Sequence, residues 1–224
     1  MHGAAVTLGL SSLALATFPL VRPFFPFDPT HPVETLAGAS RAVTSVPWLI
    51  AHYLALLGFV LLLSVLPALH TRLARAGVGT RAGWAMLLSG VGVALILPTL
   101  GVELYALPAI GRLYGDGKTE IAPAVGLIYL GGATLVMLVG LVLLAIGAIT
   151  FATAVARSRA LPTWAAVTLA AGLAGWCPFF PPPVRIVDGL LIGIGGLGIA
   201  WDLWHANDKR PVAGARAGSG IGAR

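Results

Sequence analysis

His52 and Glu103 are the residues of this chain whose type and position could do chemistry. Each lies inside a long apolar run. There an ionisable group is costly and is kept for a buried pair, a ligand or a pathway. His52 falls about one helical turn into its run, and Glu103 about one turn from the end of the next, so antiparallel helices would bring them to one depth. Asp188 lies about one turn into the last run, close to Arg185. Tyr53, Tyr105 and Tyr129 fall at a similar level, Cys177 ends a run there, and Asp28, His31 and Glu34 sit in a connection that could fold over them.

Three chemistries suit this set. The residues could form a polar layer, with the tyrosines as an interfacial belt and His52–Glu103 as a buried hydrogen-bonded pair. They could hold a cofactor: His52 as a one-sided ligand of a haem or chlorophyll-type ring, or a quinone or metal held with Glu103, Tyr105, Tyr129 and Asp188. A bis-histidine haem would need a second histidine, and only His31 is offered. Lastly, Glu103 and His52 could relay protons along a solute path. Hydrolysis has no support, since neither a nucleophile–base–orienter set nor an H-E-x-x-H helix is present.

Gly193-Ile194-Gly195-Gly196-Leu197-Gly198 fits the dinucleotide-binding pattern but lies within an apolar run, not between a strand and a helix. With Gly189-x-x-x-Gly193 it reads as a small-residue face for close helix packing. Gly77-Val78-Gly79-Thr80-Arg81 lacks the ending of a phosphate loop and reads as a turn.

The elements that must position these residues follow from composition. The chain is 58% hydrophobic and 10% charged, against about 25% charged in a soluble domain. Blocks of about 20 apolar residues match a hydrocarbon core of about 30 Å. The expected fold is therefore an all-α integral membrane protein, a bundle of about six transmembrane helices near 4–21, 48–69, 83–107, 124–155, 163–177 and 184–204. The fourth block is long for a perpendicular span and is expected to tilt or to extend into the inner loop. The first block could instead be a cleaved signal with Ala14-Leu15-Ala16 as its site. It lacks the preceding Lys or Arg of such a signal, so it is read as a helix. The outer loop 22–47 is aromatic and proline-rich at its start, with a short surface helix expected over Pro32–Ser45. The Gly/Ala-rich residues 206–224 are expected to be a disordered cytoplasmic tail.

Basic residues set orientation. With both termini cytoplasmic, nine of the fourteen Lys and Arg lie inside, and six of the eight acids lie outside. The net charge of +6 thus reports topology and gives no reason to expect nucleic acid. A single cysteine leaves no internal disulfide.

Trp84, Gly92 and Pro98 share their spacing with Trp164, Gly172 and Pro178, and Leu57-Gly58-Phe59-Val60-Leu61-Leu62 matches Val139-Gly140-Leu141-Val142-Leu143-Leu144. The pattern suggests a parallel duplication of helices two–three and four–five.

The Arg-Ala-Leu-Pro-Thr-Trp-Ala run at 159–165, and the acid Glu103 in an apolar third helix, resemble a loose group of uncharacterised multi-pass bacterial membrane proteins from GC-rich genomes. The resemblance implies a six-helix profile in the bacterial inner membrane and no particular activity. Beyond membrane lipids, the expected partners are other membrane subunits, because Gly-rich apolar bundles often pack on larger proteins. The leading expectation is a non-catalytic accessory subunit of a membrane complex, such as an energy-transducing one. A cofactor protein using His52, or a small proton-coupled transporter using Glu103, stand as alternatives.

Overall fold

The computed structural model describes residues 2–25, 28 and 30–205, and among them every regular element is a helix. The expected tail 206–224 lies outside the described residues. The helices are α1 (His2–Val21), α2 (Pro32–Val43), α3 (Val46–Leu73), α4 (Gly79–Gly101), α5 (Leu107–Gly115), α6 (Pro123–Tyr129), α7 (Gly132–Ser158), α8 (Thr163–Gly175) and α9 (Pro182–His205).

Helix ends follow local chemistry. Ser45 caps α3 by accepting from the Trp48 N–H, and Pro47 sits in the first turn, where its missing N–H costs nothing. Gly77 takes φ 83°, a left-handed conformation that glycine adopts without a Cβ clash. There the chain reverses, bringing Gly83 beside His70 and Gly90 beside Leu63 and Leu66. Arg159 ends α7 in the same left-handed region.

Among the described residues, four stretches are long and apolar enough to cross a membrane: His2–Val21, Val46–Gly115, Gly132–Ser158 and Pro182–His205. The second contains the reversal at Gly77, so it is a hairpin of α3 and α4. The helix after that reversal runs further than its apolar block, through a π-helical turn at Val102–Ala106 into α5. The fourth expected block, 124–155, is not one tilted helix. Gly131 is extended, and it separates α6 from α7. The short helix expected at Pro32–Ser45 forms as Pro32–Val43.

Packing follows chain order around a ring. Helix α1 packs on α3, α3 on α4, α4 on α7, α7 on α8, α8 on α9, and α9 returns to α1. One apolar cluster fills this ring, with Phe18, Phe59, Val93, Leu144, Leu169 and Ile192 among its members. A second cluster joins α2, α5 and α6 over the end of the ring that carries Trp48: Leu36, Val43, Leu107, Ile110 and Val125 are buried there. At the opposite end Trp84, Trp164, Trp201 and Trp204 are exposed, as rings that anchor at a membrane interface are.

Glycines set the helix separations. A Cβ at Gly92 would lie 2.6 Å from the Leu144 nitrogen and 2.7 Å from the Gly140 carbonyl oxygen. A Cβ at Gly172 would lie 2.7 Å from both the Ile192 nitrogen and the Asp188 carbonyl oxygen. In return, Gly147 lies on Ala85 and Ser89, and Gly195 lies on Ala165 and Leu169. One sequence shift carries Ala85, Ser89 and Gly92 onto Ala165, Leu169 and Gly172. A second carries Gly140, Leu144 and Gly147 onto Asp188, Ile192 and Gly195. The α4–α7 and α8–α9 interfaces therefore match contact for contact.

Gly92→Ala and Gly172→Ala should each destabilise the protein by about 1–3 kcal/mol, because the backbone behind each has no flexible end to yield. Gly101→Ala, where a Cβ meets nothing within 4 Å, should be neutral or mildly stabilising through helix propensity. Equilibrium unfolding in mixed micelles measures the three against wild type.

Candidate functional site

The site begins with Trp48 in the first turn of α3. Four residues later, on the same helix face, His52 places Nδ1 2.8 Å from the Trp48 carbonyl oxygen. A carbonyl can only accept, so Nδ1 carries a hydrogen. The two rings lie 4.2 Å apart, centroid to centroid. The indole Nε1–H crosses to α4's extension and donates to the Glu103 carbonyl at 2.8 Å. Glu103 sits in the π-helical turn, where the usual backbone register is lost. Trp48 thus fixes both partners of the pair.

With Nδ1 protonated, Nε2 faces Glu103 Oε2 at 2.7 Å. Two acceptors cannot meet at that distance, so a proton lies between them. The pair is either imidazolium with carboxylate or neutral imidazole with carboxylic acid. His52 is 0% and Glu103 2% exposed, so bulk water does not reach the shared proton. The Tyr129 hydroxyl donates to Oε1 at 3.1 Å. The Arg22 guanidinium lies 3.8 Å from Oε2 and 4.9 Å from the Trp48 ring, and its Nη1 donates to the Pro178 carbonyl at 3.1 Å. The end of α1, the start of α3, the π-helical turn, α6 and the α8–α9 connection therefore meet at one carboxylate.

Above this carboxylate lies a cavity of about 170 Å³. Arg22, Glu103 and Tyr129 supply its polar wall, and Phe24, Phe25, Phe179 and Phe180 supply much of the rest.

Of the residues expected from sequence, His52, Glu103 and Tyr129 come together. Tyr105 does not: it is 61% exposed on the outside of the bundle, near Tyr53. The reason is helical phase, since Tyr105 is two residues from Glu103 and points to another face. Asp188 is buried against α8, with its carboxylate close to Gly175, and it makes no ion pair with Glu103's partners. Its Oδ2 has no hydrogen-bond partner among the described residues, nor do Nε and Nη1 of buried Arg185. Cys177 is a half-buried free thiol. Asp28 and His31 pair with each other at 2.9 Å, more than half exposed, and do not fold over Glu103. Glu34 is exposed as well.

Sequence reasoning passed over Arg22 and Trp48. Trp48 carried a signal, being one helical turn before His52. Arg22 had a weaker one, as the only cation directly following the first apolar block.

A ring ligated by His52 would need a lone pair on an imidazole nitrogen. Nδ1 is committed to Trp48 and Nε2 to Glu103, so the residues do not fit axial ligation without dismantling the pair. The small-residue faces that suggested a docking partner are likewise occupied inside the chain: Gly58, Gly92, Gly140, Gly147, Gly172, Gly189, Gly195 and Gly196 all face neighbouring helices.

His52→Ala should cost about 3–5 kcal/mol, the range for breaking a buried pair on one side. His52→Ala with Glu103→Ala should cost clearly less than the two single effects combined, as measured by a double-mutant unfolding cycle. In the exposed loop, hydrogen bonds from the Thr30 hydroxyl and His31 hold the Asp28 carboxyl at about 2, and Asp28 in turn raises His31. The pairing is complete below the ordinary His31 value. It fades as pH rises through the raised value, and at the acid end as pH falls through about 2. Ring-proton NMR should show His31 titrating lower in Asp28→Asn than in wild type.

Comparison with known protein families, with curated proteins and with solved structures finds no match, so the reading of this chain rests on its own geometry.

Proposed function

We propose that this chain is a six-span integral membrane protein in which the Glu103–His52 pair is the proton-exchanging centre of a small proton-coupled transporter. The observation that carries the reading is the single proton confined between Nε2 and Oε2 beneath a cavity. A carboxylate that can take or release a proton next to a solute-sized space is the element a coupled carrier needs. A purely structural pair needs no cavity.

The six-span count is supported by the closed ring. Its weakest member by length is α8, whose 13 residues reach only about 20 Å at 1.5 Å per residue. The connection that follows α8 at the Glu103 end turns at Pro178, burying Trp176 and Pro178 against protein and leaving Phe179 and Phe180 exposed. The matched α4–α7 and α8–α9 interfaces support the likeness of α4 to α8 that the duplication of helices two–three and four–five requires, but they pair α7 with α9 and not α3 with α7. The excess of basic residues at the Trp201 end supports a reading in which both termini face the cytoplasm across a bacterial inner membrane, with the cavity and the α2 helix on the outer side.

Glu103→Gln should abolish solute-independent proton uptake and release by the purified protein, and should delete one protonated-carboxyl band from pH-difference infrared spectra. An unchanged spectrum in Glu103→Gln would remove Glu103 as the proton-exchanging group.

A further inference from the structure

The cavity holds more positive charge than its own residues neutralise. The Glu103–His52 pair with its shared proton is neutral overall in either form. Arg22 is then an uncompensated cation whose side chain is only 10% exposed, and its Nε has no partner among the described residues. Arg185 is a second cation, 4% exposed, with Nε and Nη1 also unpartnered. Its guanidinium lies 5.9 Å from the ring of Phe24, a cavity wall, and near enough to Arg22 and Glu103 for their charges to act on it. Asp188, one turn along α9, is the nearest acid in sequence, yet no ion pair joins it to Arg185 among the described residues. Arg22 faces only the Glu103 carboxylate, whose charge the proton shared with His52 already balances, and Arg185 has no ion pair among the described residues. Two buried guanidiniums left with net positive charge are expensive unless an anion completes them.

The walls indicate which anion. Four phenylalanines and Pro23, Pro178 and Pro181 surround the polar end. Such a surface favours an apolar body and offers nothing to a second charged group. The guanidinium fork fits the two oxygens of a carboxylate.

We propose that the cavity above Glu103 binds a small organic carboxylate with an apolar body, its charged end on Arg22 with Arg185 in support and its body among Phe24, Phe25, Phe179 and Phe180. This deepens the transporter reading by naming its substrate class, and rests on that reading only for the coupling to protons. The coupling has a definite sign. Loss of the shared proton leaves Glu103 negative beside neutral His52, which cancels one cation and repels the incoming carboxylate. Carboxylate binding therefore favours proton uptake.

Titration calorimetry on the detergent-solubilised full chain tests the proposal with benzoate, benzyl alcohol and benzylamine as probes. Benzoate should bind saturably, and the neutral and cationic analogues of the same body should not. Equal binding of benzyl alcohol, or no saturable benzoate binding, would overturn the site. Arg22→Lys keeps the charge but loses the fork and should weaken benzoate about tenfold or more. Arg185→Gln should weaken it several-fold with helix content unchanged by circular dichroism, and wild-type affinity in both variants would refute the assignment. Laurate displacing benzoate would support the site with a membrane fatty acid as its source, and benzoate binding resistant to laurate would support a water-soluble acid. Proton uptake is followed in weakly buffered solution. Benzoate binding without it sinks the relay and leaves the anion site standing, whereas proton exchange without benzoate binding does the reverse.

Discussion

One carbonyl group organises the Glu103 end of this molecule. The Trp48 carbonyl accepts from His52 Nδ1, and that single commitment decides what the other imidazole nitrogen can do. Nε2 must share a proton with Glu103, so in this arrangement neither imidazole nitrogen has a lone pair free to ligate a metal. The same tryptophan reaches across with its indole N–H to hold the Glu103 backbone. Position and protonation are thus set by one residue, its indole holding the Glu103 backbone and its own carbonyl holding the imidazole, and Arg22, Tyr129 and the cavity take their places around the result.

Such a centre needs an enclosure. A bare carboxylate at the end of a helix ring would sit at the water boundary, where its interactions weaken with the local dielectric. Helices α2, α5 and α6 with their own apolar cluster cover that end. The break at Gly131 is what makes this possible, since it turns α6 off the line of α7 and delivers Tyr129 onto Glu103.

The membrane class and the apolar blocks were legible in the sequence because hydropathy reports burial in lipid directly. The meeting of His52 and Glu103 was legible too, since two ionisable groups at one depth on antiparallel helices have few other places to go. Tyr105 misled because depth alone does not fix helical phase, and an exposed tyrosine at an interface looks the same in sequence as a buried one. The division of the fourth block into α6 and α7 was hidden because apolar residues run on without pause across Gly131–Gly132. Arg22 was hidden for a different reason: its role depends on where a non-helical connection lies, and Pro178 joins it from far along the chain.

The closed ring has a consequence for how the protein is made. Its seam is the α1–α9 contact, where Gly189 and Gly193 of α9 lie against Ala16 and Pro19 of α1. Helix α1 therefore waits for α9 to be synthesised before its second flank is covered. Arg22 stands at the end of that first helix, and Pro178 stands just before the last. Until the α8–α9 connection has been made the carboxylate lacks its full set of neighbours, so the centre assembles after α1, α3 and α4 are already in place. A chain truncated before α9 would leave α1 with an uncovered small-residue face in the bilayer, the kind of feature by which membrane quality control distinguishes unfinished proteins.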